Sequence, residues 1–285
     1  ACKNIDYIFH NVAQVTLAKN KELFNSVNNT GTKNITKAAA LSGCKHFVYT
    51  SSSAVYGVPP DNPVNEDTPT IPAEEYGLAK LNGEKMCNSF KDKMNVTIIR
   101  PRTILGSGRL GIFQILFEWV YQNQNLPVFD GGNNIYQFVH CDDLADACIK
   151  SVENKSTGIF NIGAMDYCSM KETLEALIKH SNKESKVKSL PSKIITPLMN
   201  IASYLKISPL GAYHSAMYGQ SMYFDTKKAK KYLNWKSKYS NKEMIIDSYN
   251  WYIQNRESLL KDNSNKSLHK SKVKQGVLYF IGKLL

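Results

Sequence analysis

A serine, a tyrosine and a lysine stand in this sequence in the order that proton and hydride transfer chemistry requires. The run Phe47–Gly57 ends a strand-like segment in a cluster of hydroxyl side chains, and Tyr76 and Lys80 follow it. Four-residue spacing puts Tyr76 and Lys80 on one face of a helix. A nearby ammonium group favours the phenolate, so it lowers a tyrosine pKa from its ordinary value of about 10. Such a tyrosine can exchange a proton with a substrate hydroxyl or ketone, while a serine hydroxyl holds the substrate oxygen.

The Tyr-x-x-x-Lys spacing alone is weak evidence, because it occurs five times: Tyr76/Lys80, Tyr167/Lys171, Tyr223/Lys227, Tyr232/Lys236 and Tyr279/Lys283. The alternative interpretation of each pair is an ordinary surface tyrosine and lysine. Only Tyr76 follows a strand-like segment that ends in serine and threonine side chains. Its context, and not the spacing, therefore favours Tyr76 and Lys80 as the catalytic pair.

Alternating strand and helix patterns must position these side chains. We predict a buried strand at Ile5–Phe9, a helix over 21–42, a strand over 44–50, a helix from about Tyr76 to Lys91 and a strand over 95–100. Strands that alternate with helices indicate parallel β-α-β units. The predicted fold class is therefore α/β, with a partial Rossmann-like, doubly wound parallel sheet and a smaller, mostly helical C-terminal domain.

The pattern changes after Gly106. We expect an amphipathic helix over Phe113–Gln122, a loop over 127–134, a short strand at Phe138–Val139, a helix over 142–152, a strand over 158–162 and mostly helix over 165–255. This pattern predicts a dinucleotide-binding domain over 1–164 with a substrate-side insertion at about 106–135. A substrate-binding domain over 165–256 and a basic tail over 257–285 would follow.

Composition excludes several classes of protein. The 285 residues are enough for one large domain or two small ones, and no apolar run reaches the roughly 20 residues that span a bilayer. The six cysteines have no Cys-x-x-Cys spacing, which argues against a zinc site and a secreted disulfide framework. We expect reduced thiols, no metal and a cytoplasmic protein. The net charge of +12 is not clustered as nucleic-acid binding would require, so we expect no nucleic-acid partner.

The C-terminal tail leaves two interpretations open. It is polar and rich in lysine from Arg256 onward, and it ends in the apolar run Val277–Leu285. Such a segment is typical of a basic amphipathic element that contacts a membrane surface. The alternative is a frayed helix or a disordered tail.

Several segments together resemble the extended short-chain dehydrogenase/reductase family, in its NAD-dependent sugar epimerase/dehydratase branch. The resemblance covers about residues 1–255, and it rests on His10–Ala13, Asn28–Thr32, Ser51–Gly57, Tyr76–Lys80, Arg100–Gly106, Phe138–Ala145 and Asp225–Trp235. Each of these segments is unspecific, whereas the set is highly specific. The family habit also implies a homodimer.

The resemblance implies roles for individual residues. Ser52 would be the catalytic serine, with Ser51 and Ser53 as its neighbours, and Tyr76 would be the general acid/base. Lys80 would bond the nicotinamide ribose and tune Tyr76. The cofactor, NAD or NADP, would contact Val12, Ala13, Asn28, Tyr76, Lys80 and Pro101. A surface helix residue is the alternative for Asn28.

One departure from the family concerns the cofactor. The family's N-terminal GxxGxxG loop holds the pyrophosphate at a helix N-terminus, and it does not appear before the strand at Ile5–Phe9. The residue that selects NAD over NADP would stand in the same region. We therefore expect a truncation at residue 1, an unpaired sheet edge, and a chain that is inactive by itself.

The other departure concerns the substrate. Tyr136 stands where sugar epimerases of this family have an arginine for the substrate diphosphate, and arginine suits bidentate phosphate binding. Arg102 or Arg109 could take that role, with Ser53 and Tyr136 as further substrate contacts. Two functions stay open: hydride transfer on a nucleotide sugar, or a 3-beta-hydroxysteroid dehydrogenase-like or ketone/aldehyde reductase activity on a hydrophobic substrate. A non-catalytic binding protein is the third, which the complete Ser/Tyr/Lys set disfavours.

Overall fold

The computed structural model describes residues 2–14, 21–205, 217–261 and 282–283. The chain forms two compact units. The first comprises Ala1–Thr103, Asp142–Met165 and Tyr223–Ser237, and the second comprises Ile104–Cys141, Asp166–Met222 and Lys238–Leu285.

The elements are numbered in chain order. The N-terminal elements are β1 (Tyr7–His10), α1 (Lys21–Asn25), a π-helical segment (Ser26–Gly31), α2 (Thr32–Leu41), β2 (His46–Thr50), a 3-10 turn (Ser53–Tyr56), α3 (Glu75–Asn88), β3 (Asn95–Pro101) and β4 (Thr103–Leu105). The later elements are α4 (Phe113–Tyr121), β5 (Leu126–Phe129), a 3-10 turn (Asp130–Gly132), β6 (Phe138–His140), α5 (Cys141–Glu153), β7 (Gly158–Ile162), α6 (Met170–Ser181), β8 (Val187–Leu190), α7 (Ser192–Tyr204), α8 (Lys227–Tyr232) and α9 (Asn241–Lys261).

A four-stranded parallel sheet with the order β1-β2-β3-β7 forms the centre of the first unit. Strand β2 is buried over His46–Tyr49 and β3 over Val96–Pro101, because neighbouring strands and helices cover them. Parallel strands buried on both faces are typical of α/β proteins. The predicted α/β class and its parallel sheet are confirmed.

Strand β1 has the expected unpaired edge but not the predicted burial. Among the described residues it pairs only with β2, so it is an edge strand. Successive side chains of a strand point to opposite faces. Tyr7 and Phe9 are exposed, as is Ile5 just before the strand, whereas His10 is buried. The prediction of a buried strand at Ile5–Phe9 is therefore wrong.

The second unit also corrects three predictions. Helix α4 is buried at every position from Phe113 to Val120, so it is a core helix and not an amphipathic one. Strand β5 overlaps the start of the segment predicted as a loop, and it pairs in parallel with β8, a short strand in a stretch whose described residues are mostly helical, as predicted. Helix α9 continues through Lys261, beyond the predicted start of the tail. Within the residues that the structure describes, no helix combines the length and apolar character needed to cross a bilayer.

Candidate active site

The three serines after β2 have different environments. Ser51 is buried, and its hydroxyl donates to Glu84 Oε1. Ser53 is buried, and its Oγ accepts a hydrogen bond from Arg102 Nη1 at 3.1 Å. Both hydroxyl groups are therefore held by charged partners within the protein.

Ser52 is half-buried and caps the 3-10 turn that follows it. Its backbone is extended (φ −163°, ψ 154°), and its Oγ accepts a hydrogen bond from Ala54 N at 3.1 Å. Among the described residues its hydroxyl group donates to no acceptor. The Ser51 O–H is used by Glu84, and Ser53 is buried, whereas Ser52 is half-buried and keeps its O–H for an external oxygen atom. This difference supports the choice of Ser52.

The close approach of α3 to the 3-10 turn brings Tyr76 to the same region. A side chain on Gly77 would place its Cβ 2.4 Å from the carbonyl oxygen of Ala54, a distance that real Cβ atoms do not reach. Gly77 directly follows Tyr76, and Ala54 lies two residues after Ser52. The absence of a side chain at Gly77 therefore lets the helix that carries Tyr76 pack against the turn that carries Ser52.

Lys80 lies one helical turn after Tyr76 and is only 3% exposed. Its Nζ donates to the carbonyl oxygen of Thr50 at 2.7 Å. The same nitrogen lies 4.9 Å from the ring centroid of Tyr49 and 5.9 Å from that of Tyr76. Burying a cation is costly unless it is paired or hydrogen-bonded, and aromatic faces attract cations. The site therefore holds a positive charge beside the proposed acid/base.

A buried ion pair connects α3 to β3 behind the serine cluster. Arg100 Nε and Nη2 donate to the two carboxylate oxygens of Glu84 at 2.9 and 2.6 Å, and both side chains are 3% exposed. Arg100 Nη1 donates to Tyr56 Oη at 2.8 Å, and this hydroxyl donates to Asn161 Oδ1 at 2.8 Å. This network joins α3, β3, β7 and the 3-10 turn, so it fixes the position of Ser52 relative to α3.

A neutral histidine packs on the same Tyr49 ring that the Lys80 ammonium contacts. His10 Nε2 lies 3.0 Å from Thr32 Oγ1, and its ring stacks on Tyr49 with centroids 5.7 Å apart. Burial, together with the charge of Lys80, lowers the pKa of His10 from 6.5 to about 4. His10 is therefore uncharged near neutral pH, and it does not compete with Lys80 as a second cation.

The candidate cofactor residues surround the carboxyl ends of β1 and β2. Asn28 is buried in the π-helical segment, so the alternative of a surface residue is wrong. Its Oδ1 accepts from Gln14 N at 2.7 Å, and its Nδ2 donates to Gln14 O at 2.9 Å. These two bonds hold the loop in which Val12 is exposed and Ala13 is half-buried. Pro101 is buried at the end of β3.

The candidate substrate residues belong to different units. Ser53 and Arg102 lie in the first unit, whereas Arg109 and Tyr136 lie in the second. Arg102 is 2% exposed, and its guanidinium lies 5.8 Å from the ring centroid of Phe224. Tyr136 is half-buried and packs on Phe138 with ring centroids 5.2 Å apart.

Sequence reasoning overlooked three groups close to this site. Tyr49 and Glu84 fit no short motif, and only the fold brings them to Lys80 and Ser51. Glu74 directly precedes α3, and burial raises its carboxyl pKa from 4.5 to about 7. A half-buried carboxyl group two residues before Tyr76 is not apparent from the sequence pattern.

The segment Gly106–Gly111 reads G-x-G-x-x-G, but its context does not fit a dinucleotide loop. It follows β4, which pairs only with β6 in a two-stranded sheet of the described residues. Such a glycine pattern indicates dinucleotide binding only when it opens a β-α-β unit. At Gly106 (φ +135°) a Cβ atom would instead lie 2.4 Å from Cys141 Sγ. This glycine is explained by local packing.

The residues at the carboxyl ends of β1 and β2 are compatible with a dinucleotide ligand. Ligands of open α/β sheets bind outside the carboxyl ends of the strands. Thr50 Oγ1 donates to Asn11 Oδ1 at 2.5 Å, which connects the carboxyl ends of β1 and β2, and the buried Lys80 lies at the same point. These features provide a fixed loop, a cation and a hydroxyl cluster at one edge.

The fold and site define a Rossmann-like α/β protein with a Ser/Tyr/Lys set, and the sequence comparisons agree. Residues 1–163 match the NAD dependent epimerase/dehydratase family, and the chain belongs to this family. It is 51% identical over 280 residues to the uncharacterized protein y4nG of Sinorhizobium fredii, and this match spans 98% of this chain and 70% of that protein. It is 30% identical over 170 residues to UDP-glucose 4-epimerase of Mycolicibacterium smegmatis, and the match spans 55% of this chain and 54% of that enzyme.

Solved structures show the same fold at low sequence identity. UDP-glucuronic acid 4-epimerase from Bacillus cereus in complex with NAD superposes with a TM-score of 0.70 and 22% identity, over 88% of this chain and 75% of that one. UDP-N-acetylglucosamine 4-epimerase from Methanobrevibacter ruminantium gives a TM-score of 0.73 and 17% identity, over 89% of this chain and 78% of that one. The resemblance to an NAD-dependent epimerase/dehydratase is thereby confirmed.

Proposed function

We propose that the protein is an NAD-dependent enzyme of the UDP-sugar 4-epimerase type. It oxidises a hydroxyl-bearing carbon of a nucleotide sugar and returns the hydrogen to the opposite face. The observation that carries the proposal is the packing of Gly77 against Ala54, which brings Tyr76 and Lys80 of α3 to the strand end that carries Ser52. The two 4-epimerase structures and the mycobacterial relative support the reaction class.

The chain's own residues account for proton transfer. Tyr76 Oη takes the proton of the substrate hydroxyl and later returns it. Ser52 Oγ, whose O–H has no acceptor among the described residues, holds the same substrate oxygen. The Lys80 ammonium, 5.9 Å from the Tyr76 ring centroid, stabilises the phenolate form of Tyr76, which accepts the proton and is regenerated when the proton returns. General acid/base catalysis of this kind typically contributes a factor of about 10² to 10⁴ in rate.

The cofactor would be held at the carboxyl ends of β1, β2 and β3. Val12, Ala13, Asn28, Tyr76, Lys80 and Pro101 are the residues that would surround it. NAD, when bound, supplies the acceptor and donor of the hydride. In this arrangement Asn28 positions the loop of Val12 and Ala13 through its two hydrogen bonds to the backbone of Gln14. Lys80 supplies the positive charge.

The substrate side rests on fewer contacts. Arg102 donates to Ser53, the neighbour of the proposed catalytic serine. Arg109 and Tyr136 are further candidates in the second unit. Guanidinium groups bind phosphate and carboxylate groups bidentately, so Arg102 and Arg109 suit an anionic nucleotide sugar. We propose a cytoplasmic homodimer as the working form.

A direct experiment combines binding and turnover in the protein at its full natural length. UDP- and dTDP-sugars are first screened for an increase in melting temperature in the presence of NAD. The stabilising sugars are then incubated, and the two C4 epimers are separated by chromatography. We expect interconversion of at least one pair without net NADH release. If no nucleotide sugar stabilises the protein and none is interconverted, the epimerase proposal fails.

One observation favours a second function. Tyr136 is an aromatic, half-buried residue where sugar epimerases of the family have an arginine, and this suits a hydrophobic alcohol or ketone. A dehydrogenase of this type would accumulate NADH when it is given lipid-like secondary alcohols. No NADH formation with such alcohols, together with sugar interconversion, would exclude this function.

A further inference from the structure

Helix α7 presents an apolar face to solvent. Ile194, Leu198, Ile201 and Leu205 recur at spacings of four, three and four residues, so they form one stripe. They are 55 to 61% exposed, and the neighbouring Tyr204 is 86% exposed. The Leu205 N–H donates to the carbonyl oxygen of Ile201 at 2.9 Å, which continues the helical turn through the last residue of the stripe.

This arrangement is the reverse of an ordinary surface helix. Such a helix turns its apolar stripe toward the core and its polar side chains toward water. Single exposed apolar residues need no explanation, but contiguous exposed apolar patches mark interaction surfaces. Pro197, which is also exposed, adds another apolar side chain between Ile194 and Leu198.

The charge around the stripe indicates which surface it contacts. From Ser185 to Phe224 the sequence has no aspartate or glutamate, and its charged residues are Lys186, Lys188, Lys193 and Lys206. Lys186, Lys188 and Lys193 are exposed in the structure. The Asp130 carboxylate, which comes from outside this segment, accepts hydrogen bonds from Ser192 at the start of α7. The segment itself combines an exposed apolar stripe with basic residues and no acidic ones, which is the composition of a helix that lies in the interface of an anionic membrane.

We propose that α7 docks the protein on anionic membrane surfaces, with Ile194, Leu198, Ile201, Tyr204 and Leu205 inserted at the level of the lipid headgroups. The lysines supply the electrostatic attraction, and the apolar side chains supply the insertion. This mode is peripheral. It does not depend on the function proposed above or on the tail, and it places the surface in the second unit.

The test is flotation of the full chain with vesicles of phosphatidylcholine alone and of phosphatidylcholine mixed with phosphatidylglycerol, at low and high salt. We expect binding to the mixed vesicles that weakens with salt. The double variant Leu198→Ser/Ile201→Ser should reduce the partition coefficient roughly tenfold, because two apolar side chains no longer enter the interface.

The matched control is Leu41→Ser/Ile71→Ser, which removes two side chains that are each 69% exposed in the first unit. It should bind vesicles like the parent. Circular dichroism and melting temperature confirm folding of both variants. The proposal is overturned if the parent does not float with the mixed vesicles, or if the α7 variant binds as well as the control. It is also overturned if light scattering shows that the parent is a dimer and the α7 variant a monomer. A second copy of the chain, and not a membrane, would then cover the stripe.

Discussion

The Nζ atom of Lys80 lies 2.7 Å from the carbonyl oxygen of Thr50, the last residue of β2. One hydrogen bond thus connects the helix that carries Tyr76 to the strand end that leads to Ser52. The nearby rings of Tyr49 and Tyr76 surround the same ammonium group. This one nitrogen therefore connects α3 to the end of β2 and lies between two tyrosine rings.

Replacing Lys80 tests its electrostatic role. Lys80→Met removes the cation that favours the Tyr76 phenolate, so the pKa of Tyr76 should rise. We expect the pH profile of kcat to move to higher pH by about one pH unit or more. Lys80→Arg retains the charge and should shift the profile less. The measurement is kcat against pH for the parent and both variants at full natural length. A Lys80→Met profile with the parent's midpoint would contradict the role.

Tyr76→Phe tests proton transfer itself. The variant removes only the hydroxyl group, so we expect kcat to fall by a factor of about 10² to 10⁴ while KM changes little. The measurement is steady-state turnover of the sugar identified by the stabilisation screen. Tyr167→Phe, which alters another tyrosine of a Tyr-x-x-x-Lys pair, is the control and should keep parental activity. Full activity of Tyr76→Phe would show that another group is the acid/base.

The Glu84–Arg100 pair should contribute strongly to stability. Glu84→Gln leaves the buried Arg100 charge without its carboxylate, which typically costs about 3 to 5 kcal/mol. Urea unfolding followed by circular dichroism measures the loss. Glu257→Gln breaks an exposed pair with Lys261 and should change stability by less than about 0.5 kcal/mol. Equal effects of the two substitutions would refute the structural role of the buried pair.

His10 predicts a pH dependence of folding with a definite sign. Its folded pKa of about 4 lies below the ordinary value of 6.5, so the unfolded chain binds more protons between these values. The stability contribution is therefore present above about pH 6.5, and it decreases by on the order of 3 kcal/mol as pH falls to 4. His10→Gln keeps a hydrogen-bonding side chain for Thr32 but does not titrate.

The measurement for His10 is the free energy of unfolding of both proteins across this pH range. Glu74 titrates in the opposite sense, since its raised folded pKa favours folding at lower pH. The difference between the parent and His10→Gln cancels this shared contribution. Identical pH slopes for the two proteins would mean that His10 is not the titrating group.

Much of the fold could be predicted from the sequence, because local patterns encode it. The hydroxyl-rich end of β2, the four-residue spacing on α3 and the stop at Pro101 predict three elements at close to their observed bounds. The short strands β5 and β8 could not be predicted, since four residues carry little periodicity and Pro127 interrupts the first of them. The burial of α4 was also hidden, because its covering elements are distant in the sequence.

By itself, the sequence determined the order of the chemistry: a serine cluster after a strand, then Tyr76 and Lys80 on a helix. These features depend on residues a few positions apart, so local patterns express them. The tertiary structure alone shows how the environments of the three serines differ. Ser51 bonds Glu84 and Ser53 bonds Arg102, partners that lie 33 and 49 residues away. Only packing brings such groups together. The same packing buries Asn28, whose side chain bonds the backbone of Gln14, and keeps His10 uncharged near neutral pH.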